Sequence, residues 1–114
     1  MRTVIAEDST LFREGLARLL QDADHEIVAK VGDAGALVAA VRRTNPDLAV
    51  VDIHMPPHLG DDGARAARSL REDYPDLGIM LLSQHIETHA TIDLMARGGF
   101  GYLTRAPPAA RPCR

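Results

Sequence analysis

Apolar runs rich in β-branched residues alternate along this chain with stretches of helical period, a rhythm that predicts βαβ units around a parallel sheet. Thr3 to Glu7 reads as a first strand. Phe12, Leu16, Leu19 and Leu20 then fall at helical spacing and predict a helix from Thr10 to Asp22, with Phe12 and Leu16 in the core. Ile27 to Val31 is a second strand. Leu37, Val38 and Val41 mark a second helix, which must stop near Asn45 because Pro46 disfavours helical geometry in the residue before it. The unbroken apolar run Leu48, Ala49, Val50, Val51 suits a central strand covered on both faces, and it delivers Asp52 at its end.

The second half repeats the rhythm. A Pro- and Gly-bearing loop, His54 to Asp62, leads into a helix that Asp61 or Asp62 can cap and that runs to Tyr74. Leu77 to Leu82 is a fourth strand, Glu87 to Arg97 a fourth helix, and Phe100 to Leu103 a short fifth strand. Arg65, Arg68 and Arg71 recur at helical spacing and read as a solvated face. After Arg105 the pattern stops, because prolines at 107, 108 and 112 oppose a regular helix. We therefore read residues 1–105 as one domain and 106–114 as an irregular tail. A doubly wound sheet places helices on both faces, so a fifth helix is missing and one face is short of cover.

Composition narrows the class further. With 114 residues the chain has room for one core. Nearly half of the residues are apolar and a quarter charged, the balance of a soluble globular domain. A net charge of −3 argues against direct contact with nucleic acid. Cys113 is the only cysteine, no stretch is long enough to span a membrane, and no leader is visible, so the cytoplasm is the expected location. Of the basic side chains only Lys30 is lysine, so chemistry needing a later lysine must use arginine.

The candidate chemistry lies at strand ends, where open parallel sheets bind ligands. Glu7 and Asp8 close the first strand, Asp52 the third and Ser83 the fourth, and the strand order 2-1-3-4-5 would gather them around one pocket. Three carboxylates repel a bare phosphate, and the first βα turn lacks the glycines of a phosphate cradle. Mg²⁺ removes that conflict, because it prefers oxygen ligands, keeps several waters and bridges to phosphoryl oxygens. Asp52 is then the nucleophile of a phosphoryl transfer through an acyl phosphate.

These residues carry a resemblance. From Val4 to Arg105 the chain resembles the receiver domain of two-component response regulators. The resemblance rests on Glu7-Asp8, on Val51-Asp52-Ile53-His54-Met55-Pro56, on Leu82-Ser83-Gln84 and on Tyr102. Met55-Pro56-Pro57, Asp61-Asp62-Gly63 and Gly101-Tyr102-Leu103 look most like the LuxR/NarL type, whose members usually carry a C-terminal helix-turn-helix domain. The resemblance implies a flavodoxin-like fold and phosphorylation of Asp52 by a sensor histidine kinase. Asp8, Asp52 and the His54 backbone carbonyl would hold Mg²⁺, with Glu7 as a close partner of the site. Ser83 would bond the phosphoryl group, and Ser83 with Tyr102 would switch the surface of the fourth helix and fifth strand. Such a domain is a phosphoacceptor with self-catalysed transfer and dephosphorylation, not a conventional enzyme.

Two features depart from that pattern. Arg105 stands where the family has lysine, keeping the charge with a larger planar group. The tail replaces the fifth helix, so we expect a truncated or frame-shifted product whose DNA-binding domain lies outside this chain, and exposed apolar surface that favours a homodimer. Two alternatives stand beside this reading. A degenerate receiver would act as a phosphorylation-independent interaction module, whereas a haloacid-dehalogenase-like phosphatase would need a second acid where His54 stands. His54, His58, His85 and His89 raise a zinc question that no cysteine or HExxH pattern supports.

Overall fold

Strand-by-strand alternation sorts the apolar residues between two helical layers. The computed structural model describes residues 1–54, 62–83 and 101–104. The elements are β1 (Arg2–Ala6), α1 (Thr10–Asp22), β2 (Glu26–Val31), α2 (Ala34–Thr44), β3 (Leu48–Asp52), α3 (Asp62–Asp73), β4 (Gly78–Ser83) and β5 (Gly101–Thr104). All strands are parallel, in the order β2-β1-β3-β4-β5. Val4 and Ala6 of β1, Ala49 and Val51 of β3, and Ile79 and Leu81 of β4 form one core with Leu37, Ala40 and Val41 of α2 and Ala64, Ala66, Ala67 and Leu70 of α3. The intervening residues Ile5, Val50 and Leu82 point to the opposite face and are buried as well. That double burial is why β3 reads as an unbroken apolar run.

Local chemistry sets the helix ends. Ser9 caps α1 by accepting the Phe12 N–H, and Asp33 caps α2 by accepting the Ala36 N–H at 2.7 Å. Asn45 ends α2 in the left-handed region at φ 48°, a conformation its short polar side chain tolerates, and Pro46 follows. Alanines at 64, 66 and 67 let α3 lie close against the sheet.

Some expectations need correction. Phe12 and Leu16 are half-buried rather than core: Ala17 is the buried residue of α1, and Leu11 and Leu19 are largely exposed. Among the described residues no second helix flanks α1 on its face of the sheet to bury its sides. Arg65 and Arg68 are solvated as expected, but Arg71 is half-buried and donates to the carbonyls of Pro75 at 2.9 Å and Leu77 at 2.6 Å. It clasps the α3–β4 turn. Asp62 lies inside the first turn of α3. Asp61, the expected Glu87–Arg97 helix, the missing fifth helix and the 106–114 tail lie outside the described residues. Among the described residues no helix is long and apolar enough to cross a membrane.

Candidate functional site

The sheet brings β1 and β3 side by side at the point where strand order reverses, and the crevice beyond their carboxyl ends is where such sheets bind ligands. Ala6 is in register with Val51, so the residues just after β1 meet the end of β3. Glu7, Asp8 and Asp52 converge there, with one carboxylate oxygen from each lying within 4.8 Å of the others. Glu7 and Asp52 are fully buried, whereas Asp8 is exposed at the mouth.

Each carboxylate is positioned by backbone. Glu7 stands one residue beyond β1, yet its N–H still donates to the Val31 carbonyl at 3.0 Å. Its Oε2 accepts the Ser9 N–H at 3.0 Å, tying the acidic turn to the start of α1. Asp52 pairs with Leu82 of β4, and its Oδ1 accepts the His54 N–H at 3.1 Å. The Ile53 N–H donates to the Leu82 carbonyl at 2.9 Å.

Electrostatics then define what the site accepts. Two unit negative charges about 5 Å apart repel by roughly 3 kcal/mol at an effective dielectric near 20. Burial adds a desolvation cost for each ion. A cation offsets both, and three hard oxygen donors at this spacing, two inside and one facing water, form a set that could hold a divalent ion. It is the only such group of three or more ligating side chains among the described residues.

The residues singled out from sequence therefore divide. Glu7, Asp8, Asp52 and the turn at His54 come together. Ser83 ends β4 in register with Thr104, and Tyr102 is in register with Leu81. Side-chain roles for Ser83 and Tyr102, together with Arg105, His58, His85 and His89, lie outside the described residues. Two residues without a role in the sequence reading also meet the site. Arg13 donates from Nη1 to the Glu7 carbonyl at 2.8 Å, and Gly63 donates its N–H to the Ile53 carbonyl at 2.8 Å. No spacing rule pointed to Arg13. Gly63 was visible only as part of a motif.

The model of the response regulator receiver domain family matches residues 3–110. The chain belongs to that family. The transcriptional regulatory protein DegU of Brevibacillus brevis is 35% identical over 106 residues, covering 92% of this chain and 44% of its own length. Among solved structures, a LuxR-family two-component response regulator from Aurantimonas sp. SI85-9A1 superposes with a TM-score of 0.81 at 28% identity, over 96% of this chain and 77% of that one. The signal receiver domain of the putative response regulator NarL from Mycobacterium tuberculosis gives 0.79 at 30% identity, over 93% and 84%. This receiver domain is of the LuxR/NarL type, and it spans about half the length of the curated relatives it matches.

Proposed function

We propose that this receiver accepts a phosphoryl group on Asp52 from a sensor histidine kinase and thereby controls a LuxR-type DNA-binding regulator. The observation that carries the reading is the placement of the buried Asp52 carboxylate at the sheet's switch point beside Glu7 and Asp8. A carboxylate oxygen of Asp52 attacks phosphorus, an O–P bond forms, the N–P bond of the kinase phosphohistidine breaks, and its electron pair stays on the imidazole. Mg²⁺, when bound, would neutralise charge on the transferring group. Asp8, Asp52 and the His54 carbonyl would hold it, and Glu7, braced by the Ser9 N–H, would orient the set.

Downstream roles follow from the resemblance. Ser83 bonds the phosphoryl group, Tyr102 follows it and the surface beside β5 changes, while Arg105 contacts the phosphoryl oxygens in place of lysine. In this reading residues 1–105 form the receiver, the DNA-binding domain lies outside this chain, the domain works in the cytoplasm as a homodimer, and phosphotransfer is self-catalysed.

Intact-protein mass after incubation with Mg²⁺ and acetyl phosphate tests this. One added phosphoryl group is expected, absent from Asp52→Asn and from a magnesium-free control. No gain from folded protein would replace the reading with that of a phosphorylation-independent interaction module.

A further inference from the structure

The described end of β3, through His54, and the start of α3, at Asp62, are tied to one short stretch of backbone. The Ile53 N–H donates across to β4, the Ile53 carbonyl accepts the Gly63 N–H at 2.8 Å, and the Asp52 carboxylate accepts the His54 N–H. Residues 52–54 are thus held by β4 on one side and by α3 on the other.

Gly63 makes that grip possible. A Cβ on it would lie 1.8 Å from the Asp52 carbonyl oxygen, 2.8 Å from the Asp52 carbonyl carbon and 2.9 Å from the Ile53 carbonyl oxygen, where ordinary contact begins at 3.4 Å. All three atoms are backbone at the end of a central strand, so no rotamer change relieves the overlap. Either α3 withdraws and the Gly63–Ile53 bond stretches, or the Asp52–His54 turn moves. Gly15 is the opposite case, since a Cβ there meets nothing within 4 Å.

The geometry points to Gly63 as a positioning residue for the phosphoacceptor: its missing side chain lets α3 seat on the Asp52 backbone and so sets where the Asp52 carboxylate and the His54 carbonyl face the cation. The inference rests on the magnesium-dependent phosphoacceptor reading above. A group that supports metal ligands typically governs about 10–100-fold of metal affinity.

The test is isothermal titration of the full chain with MgCl₂. Gly63→Ala is expected to bind at least about tenfold more weakly than the unaltered protein. Leu70→Ala, which opens a cavity under the same helix away from this backbone, should keep its affinity. Equal affinities for Gly63→Ala and Leu70→Ala would overturn the inference. Should Gly63→Ala fail to fold, amide exchange in the unaltered protein decides. Mg²⁺ should slow exchange at Gly63 more than at Gly78, whose N–H donates to the Asp47 carbonyl at the opposite end of the sheet. Equal slowing, or none, overturns the positioning role. An unaltered protein that binds no Mg²⁺ overturns the magnesium reading, and this inference with it.

Discussion

Three acids meet at one strand-end crevice in different surroundings. Glu7 is buried and hydrogen-bonded to the turn that carries it, Asp52 is buried at the end of the central strand, and Asp8 faces water. Arg13 steadies the same turn from α1, and Gly32 packs close to its Nη1, where a Cβ would come within 3.3 Å. Glycines also differ by position. Gly15 sits exposed within α1 with open space around it, so Gly15→Ala should stabilise the fold by about 0.5–1 kcal/mol through helix propensity alone. Urea denaturation would show this as a higher midpoint at unchanged slope.

Among the elements, α3 shows most clearly how a polar pattern conceals structural work. Its three arginines share one spacing, and sequence alone assigned all of them to solvent. Arg65 and Arg68 are there, whereas Arg71 lies near the end of the helix, where the chain turns back through Pro75 and Leu77 into β4. Its guanidinium satisfies two carbonyls of that turn, and hydrogen bonds from charged donors contribute about 1.5–3 kcal/mol. Arg71→Ala should therefore destabilise by roughly 1–3 kcal/mol, and Arg68→Ala by no more than about 0.5 kcal/mol. Chemical denaturation of the two variants side by side separates a clasp from a solvated charge. The bounds of α1 and β3 were legible because capping and apolar pattern agree there, whereas periodicity cannot register which carbonyls a side chain reaches after the helix ends.

For the whole molecule, the proposed ion site in the acidic crevice would couple metal binding to folding. A ligand that binds only the native state adds stability by mass action, about 2.7 kcal/mol at a hundredfold excess over its Kd. Mg²⁺ should therefore raise the melting temperature of this chain in a concentration-dependent way, and Asp52→Asn should lose most of that rise. Differential scanning calorimetry across a magnesium series checks both. A melting temperature indifferent to magnesium in the unaltered protein would count against the ion site.

The sequence by itself determined the alternation of strands and helices, the parallel sheet, the apolar central strand and the acids at its ends, because burial on two faces and the hydrophobic period leave a local record. It also determined the family, since Glu7-Asp8 and the motif around Asp52 stand in order. Only the tertiary structure decided that Glu7 and Asp52 are buried while Asp8 is open, that Arg71 clasps a turn, that Phe12 and Leu16 stay half-exposed, and that Gly63 seats α3 against the Asp52 backbone. Those facts depend on residues far apart in sequence meeting in space, and no local pattern records the partner that each will find.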